Sequence, residues 1–288
     1  MVGSIPGEPA VHEARALLSF MSESEAERYL STHAYGRLDA LKPLWRRARA
    51  AYRRLPPYDG APPSRRPIDT AFDGVLDTLR RHPPFQRLLA PFGAEFALIE
   101  VDKLVAVQMH VCTDVAAFPF RTVAGDDTGA LLSLCFPLEQ AVPFRMELDN
   151  DAKVVNVYTL NRNLGVGDIS VRPSPDGALQ ISIPLALGLN WLHVAEFDNR
   201  YFLKDGYHRV WHLRTEGVNF LPSVVTHAPA FADLGIGQGF FPEALLRSDQ
   251  PPLVRYFFED ELAPLAQLRS TMTVLHVAAE RLDIPRML

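Results

Sequence analysis

Only two cysteines occur in 288 residues, and their spacing, 112 and 135, fits neither a CxxC motif nor a zinc ligand set. A disulfide framework is therefore not what holds this chain together. Cys112 and Cys135 sit in apolar contexts, Val111-Cys112-Thr113 and Leu134-Cys135-Phe136, and read as buried free thiols. Basic charge is not in excess either: 29 Lys and Arg stand against 34 Asp and Glu, for a formal net charge of -5. That balance excludes a polycation built to coat nucleic acid, and any such role would need a local patch. No apolar run reaches the length of a membrane span, and no period marks an internal repeat. Met1 to Glu8 carry neither a basic n-region nor an apolar h-region, which reads as a cytoplasmic chain without a membrane partner. With 48% hydrophobic and 22% charged residues, the chain can bury the core of one large domain or two small ones.

Proline is plentiful, 24 in all, and it punctuates the chain. Residues 1–90 read as a helical region. Ser24 followed by Glu27 forms a capping-box pattern, and a second helix has an apolar stripe of Leu38, Leu41, Leu44, Trp45, Ala48 and Tyr52. Arg46, Arg47, Arg49, Arg53 and Arg54 cover much of its remaining surface. The prolines of residues 56–67 deny helix and imply a linker or extended strap. A third helix is expected over Ile68 to Arg81, with Phe72, Val75, Leu76 and Leu79 inward, ending at Pro83-Pro84. From Phe96 the period becomes strand-like. Hairpins are expected around Asp149-Asn150-Asp151, around Pro173-Ser174-Pro175-Asp176-Gly177, and around Asp198-Asn199. A helix should follow Gly206 and end at Gly217, with a strand from Phe220 to Val225. From Pro229 to the end the pattern reads as mostly helical. The expected class is α+β: a core over 91–228 carrying a β-rich insertion at about 131–190, with helical regions before and after.

The segment Tyr201 to Arg214 concentrates the chemistry. A half-buried strand runs through Lys204 and Asp205 into Gly206 and then into a basic helix start, Tyr207-His208-Arg209. A glycine lets backbone approach an anion closely, the first N–H groups of the helix point toward it, and an arginine can grip it in a bidentate fork. His208, whose ordinary pKa lies near neutrality, can donate to a phosphate or move a proton.

Asp205-Gly206-Tyr207-His208-Arg209 between two strands, the second carrying Pro222-Ser223-Val224-Val225, resembles the ParB/sulfiredoxin-like superfamily, including its DGQHR-type members. The earlier Val101-Asp102-Lys103-Leu104-Val105-Ala106-Val107-Gln108 is similar to the family segment that ends in a Gln at the nucleotide site, though without the flanking Pro and Arg of ParB-type members. The resemblance covers Phe96 to Thr226 with an insertion. It implies a mixed-sheet fold and a nucleoside triphosphate bound with Mg2+, phosphates on Gly206, His208 and Arg209 and a contact at Gln108. Arg209 would be the main clamp, Lys204 and Tyr207 secondary contacts, and Asp205 a holder of the turn or of a hydrated Mg2+. The implied activity is that of a nucleotide-binding switch or NTP hydrolase, with His208 the first catalytic candidate. Sulfiredoxin chemistry is excluded because Tyr207 stands where that family has its nucleophilic Cys.

Other motifs carry less. His208 and His212 are four apart, but Arg209 occupies the position where a zincin has its Glu, and its charge opposes a bound cation. Gly235-Ile236-Gly237-Gln238-Gly239 lacks the dinucleotide-loop spacing and reads as a connector. His110 and Cys112 read as near-core, and the acidic runs Glu147 to Asp151 and Glu259-Asp260-Glu261 as solvated turns. No metal site is expected among these residues. Two alternatives remain open, a non-catalytic nucleic-acid-binding module using Arg46, Arg47, Arg53 and Arg54 beside the same turn and a structural partner protein whose interface is the hairpin insertion, and a homo-oligomer is open as well.

Overall fold

The computed structural model describes residues 11–36, 38–114, 127–138, 144–151, 153–159, 164–166, 168–174, 176–187, 189–237, 239–269 and 273–278, with the side chains of 38–41, 144–145, 159, 164–166, 186–187 and 273 also outside this set. Met1 to Glu8, Pro175 and Gln238 therefore lie outside the described residues. In chain order, strand β1 (Val11–Ala16) precedes helices α1 (Glu23–His33) and α2 (Leu38–Tyr52), strand β2 (Arg65–Arg66), and helices α3 (Asp73–Arg81) and α4 (Pro83–Leu88). Strands β3 (Glu95–Glu100), β4 (Val105–Ala106) and β5 (His110–Cys112) and helix α5 (Thr128–Cys135) follow. Six short strands come next: β6 (Phe144–Asp149), β7 (Val154–Thr159), β8 (Leu164–Val166), β9 (Ser170–Pro173), β10 (Leu179–Ser182) and β11 (Leu185–Leu187). The chain then forms β12 (His193–Phe197), β13 (Arg200–Asp205), α6 (Tyr207–Thr215), β14 (Phe220–His227), α7 (Glu243–Leu246), β15 (Leu265–Arg269) and β16 (Thr273–Ala278). This is an α+β protein.

The chain divides into two compact units. The larger, Ala10–Leu138 with Asn190–Arg269, is built on a six-stranded mixed sheet in the order β2-β3-β14-β12-β13-β4. Its β12/β14 and β13/β4 pairs are parallel, and the others are antiparallel. Strand β14 is central because its apolar run is buried on both faces, from Leu221 through Thr226. Pro222 is tolerated there because it pairs with Leu98 on one side, while β12 joins the other side only from Val224 onward. A two-residue turn with Asp198 and Asn199 at φ 53° and 57° joins β12 to β13, the backbone that a tight hairpin demands. Phe85, Phe96, Phe136 and Trp191 form an aromatic cluster against this sheet, with ring centroids 5.1–6.2 Å apart. A second sheet of the same unit, β15-β1-β5, meets α1 through Tyr29, whose hydroxyl lies 2.7 Å from His110 Nδ1 of β5, and α1 in turn contacts α2.

The smaller unit comprises Met1–Pro9, Glu139–Leu189 and Ser270–Leu288. It holds the expected hairpins β6/β7 and β9/β10, and β16 adds to β7 to complete a three-stranded sheet. The pair β8/β11 encloses β9/β10 in the chain.

Several expectations are corrected. The C-terminal region is not mostly helical: it contributes strands to both units, and α7 is one four-residue turn of helix. Leu265–Arg269 alternates exposed and buried, and Thr273–Ala278 carries β-branched residues, but strands this short are distinguished from helix only by partners elsewhere in the chain. For β15 the partner is β1, with Ala266 opposite Ala14, a strand inside the region expected to be helical. The capping box of α1 is Ser22 with Glu25, not Ser24 with Glu27. Ser22 has the extended backbone of a cap and its N–H donates to Glu25 Oε2 at 2.8 Å, while Glu27 pairs with Lys42 at 2.7 Å. Val75 faces solvent although Leu76 and Leu79 of the same helix are buried. Pro83 and Pro84 end α3 but also begin α4, where the first helical positions need no N–H. The proline-rich stretch is a strap whose β2 residues extend the sheet edge, with Arg65 on Glu95 at 2.6 Å and Arg66 over the Phe220 ring at 3.6 Å.

Candidate functional site

Strand β13 delivers Lys204 and Asp205 to Gly206, the N-cap of α6, whose φ is 96°. A side chain here would be strained, and a Cβ would lie 3.0 Å from Leu192 Cγ and 3.1 Å from Leu192 Cα. The glycine is thus required by the close passage of the chain entering β12. Asp205 Oδ1 accepts the Gly206 N–H at 2.6 Å and so holds the turn. The α6 ladder includes the bond from Val210 N–H to Gly206 O at 2.9 Å, and the N–H groups of residues 207–209 precede it at the positive end of the helix.

Tyr207 is 4% exposed. Its hydroxyl donates to Leu203 O at 2.7 Å and accepts from the N–H groups of Val107 at 2.7 Å and Gln108 at 3.2 Å. Burial pushes its phenol pKa up. Tyr207 is therefore a clasp rather than an open ligand contact. It pins the end of the Val101 to Gln108 segment against the turn, so the two segments that carry the family resemblance meet in space. The parallel pairing of Val105 with Phe202 and Ala106 with Leu203 sets their register.

Arg209 is 6% exposed. One terminal nitrogen donates to Asn190 Oδ1 at 3.1 Å, one of the five N–H donors that a guanidinium carries. Burial lowers its pKa while Asp205 and then Cys135 oppose the shift, and a guanidinium remains charged in such a setting. Arg209 is thus a positioned, poorly solvated cation behind the turn. Cys135 beside it is fully enclosed, and burial pushes its thiol up to about 12, which makes it an inert core residue.

His208 and Gln108 are half-buried at the same turn. His212 lies one turn further along α6, where Trp211 stacks on Phe258 at 4.7 Å and Arg214 forms a two-point ion pair with Asp102 at 2.8 and 3.0 Å. Among the described residues no group of three or more His, Cys, Asp or Glu side chains is placed to hold a metal ion. A Mg2+ ion carried on phosphates needs only one or two carboxylates, and Asp205 is the carboxylate at this turn.

Lys204 parts from the other candidates. Its ammonium donates to Leu234 O and lines a cavity with His193 and Thr226, whereas Gln108, Gly206, Tyr207, His208 and Arg209 do not line that cavity. Asn190, Leu192, His193 and Thr226 were missed by motif reading, because nothing in their own sequence context distinguishes them from ordinary sheet residues. Tertiary register alone brings Asn190 and Leu192 to the turn, and His193 and Thr226 to the cavity beside Lys204.

Arg46 and Arg47 on α2 and Arg53 just after it are exposed. Arg54 pairs with Glu261 at 2.7 Å, and Arg49 turns back to Ser19 O at 2.9 Å with its guanidinium 4.3 Å from the Tyr52 ring. Tyr52 packs edge-on to Phe20, so it is not available for base stacking. No helix among the described residues is long and apolar enough to cross a membrane. Comparison with known proteins finds no matching family model, curated protein or solved structure.

Proposed function

We propose that this chain is a nucleotide-binding protein of the ParB/sulfiredoxin-like kind, with the phosphates of a nucleoside triphosphate, carried with Mg2+, at the Asp205 to Arg209 turn. The observation that supports it is the Tyr207 clasp. Segments about a hundred residues apart, each resembling the family in its own sequence, are joined by one hydroxyl. An anion at the start of α6 would meet the N–H groups of residues 207–209, the imidazole of His208 and the field of the buried Arg209. A cation held in a low-dielectric setting acts more strongly on such an anion than an exposed one. Asp205 fixes the turn and is the carboxylate closest in the chain to a phosphate-borne Mg2+. Hydrolysis would add a role for His208 in orienting the attacking water.

Calorimetric titration with ATP, GTP, CTP and UTP in Mg2+ tests this reading. Saturable binding of at least one nucleotide, lost in Arg209→Ala and weakened in His208→Ala, is the expected result. Absence of binding by all four would end it.

The exposure of Arg46, Arg47 and Arg53 favours a second reading, a nucleic-acid-binding module, in which these residues contact backbone phosphates. Binding of single-stranded or duplex DNA that falls steeply with salt and is lost in Arg46→Ala with Arg47→Ala would select it.

A further inference from the structure

A cavity of about 180 Å3 lies in the larger unit, on the sheet strands β12, β13 and β14. Leu88, Leu89 and Phe92 make one apolar wall, and Lys204, His193 and Thr226 supply polar groups opposite. His193 Nε2 and Thr226 Oγ1 are 2.8 Å apart. Burial, and then the nearby Lys204, lower the His193 pKa to about 3, so its imidazole is neutral and carries one donor and one acceptor. Thr226 completes this pair with a hydroxyl that can donate or accept.

Lys204 is the charged group here. Its ammonium donates to the Leu234 carbonyl, and burial lowers its pKa to about 8 against an opposing contribution from Asp205. Among the described residues no carboxylate forms an ion pair with it. A partly desolvated cation with one carbonyl partner has donors to spare, and an anion entering the cavity would restore what burial removed. The charge balance favours a single negative charge. Asp233 also lines the cavity, its carboxylate held by the Ala230 N–H at 3.0 Å, and would oppose a dianion. The other titratable group at the lining, His227, is turned to Glu196 at 2.9 Å and Glu95 at 3.4 Å. Size sets a second limit, since an apolar cavity of about 150 Å3 takes one benzene, a ligand of about six heavy atoms.

We propose that this cavity binds a short aliphatic monocarboxylate, its carboxylate on the Lys204 ammonium and the Thr226 hydroxyl and its chain against Leu88, Leu89 and Phe92. The site is separate from the nucleotide turn, none of whose other residues lines it, and it stands whether or not a nucleotide binds.

The test is titration of the full chain with sodium butyrate, butyramide and inorganic phosphate. Butyrate should bind saturably, and the other two at least about tenfold more weakly, because a charge-assisted hydrogen bond in such a setting is worth about 1.5–3 kcal/mol. Lys204→Met should weaken butyrate by a similar factor. Ala228→Leu, which narrows the same cavity without touching its charge, should weaken it too and serves as the reading if Lys204→Met does not fold. Equal binding of butyrate and butyramide, tighter binding of phosphate, no saturable butyrate binding, or unchanged binding in a folded variant would each overturn the proposal.

Discussion

The hydroxyl of Tyr207 accepts the backbone N–H of Val107 at 2.7 Å across a hundred residues of sequence. The same oxygen donates to Leu203 O, four residues back in β13, and takes the Gln108 N–H, so one side chain satisfies backbone groups on both sides of the candidate site. The contact fixes where the Val105 to Gln108 segment ends, and with it the position of Gln108 beside α6.

Removing that oxygen should be costly. Tyr207→Phe leaves buried N–H and C=O groups unpaired, at about 1–3 kcal/mol for each one left without water, so a total loss of roughly 2–4 kcal/mol is expected. Urea unfolding of the two proteins measures it. A change below roughly 0.5 kcal/mol would show that the clasp contributes little.

Gly206→Ala should destabilise for two reasons, the positive φ and the contact with Leu192. Left-handed backbone costs about 1–2 kcal/mol and overpacking a further 1–3 kcal/mol. Combining it with Leu192→Ala should recover the second part only, so the double variant should be more stable than the sum of the two single changes implies. Thermal and chemical denaturation of the four proteins in the cycle provide the check.

His193 gives the stability a pH signature. Its folded pKa, about 3, lies below the ordinary 6.5, so between those values the unfolded chain binds a proton that the folded chain does not. Stability from this group is therefore complete above about pH 6.5 and falls as pH drops toward 3, by up to about 1.4 kcal/mol per pH unit. Lys204 acts at the other end. Its folded pKa of about 8 lies below the ordinary 10.5, so its burial penalty is full below pH 8 and is relieved as pH rises toward 10.5. Unfolding free energies of wild type and His193→Gln from pH 4 to 7 should converge toward the acid end if the assignment holds. Parallel curves would contradict it.

Replacement of Arg46 and Arg47 by Ala should leave nucleotide affinity unchanged within a factor of about two, since these exposed side chains stand outside the turn and surface changes are usually within about 0.5 kcal/mol. A larger loss would link α2 to the ligand.

Local chemistry made part of this fold readable. The Asp198-Asn199 turn, the Gly206 cap, the Gly217 stop and the buried run of β14 each declare themselves through backbone requirements or continuous apolarity. So did the β6/β7 and β9/β10 hairpins, whose strands are near neighbours in sequence. The strands β1, β15 and β16 were not legible, because each is short and is defined by a partner far along the chain. The same limit applies at the site. Gly206 was identified, but its reason, the passage of Leu192, lies in a different strand. Arg209 was expected as the main phosphate clamp, but its burial beside Asn190 and Cys135 depends on residues outside α6 that the turn sequence does not specify. Lys204 was grouped with the turn by adjacency in sequence, while its side chain belongs with His193 and Thr226, residues that only strand register brings together.

The most direct measurement is the amide NMR spectrum of the deuterated chain, assigned through Val107, Gln108 and residues 205–210, as each nucleotide is added with Mg2+. Binding at the turn predicts shifts concentrated at Gln108, Gly206, Tyr207, His208 and Arg209, with Arg46, Arg47 and the cavity residues unmoved. Saturable binding with shifts confined to α2 or elsewhere, or no shift with any nucleotide, would contradict the account.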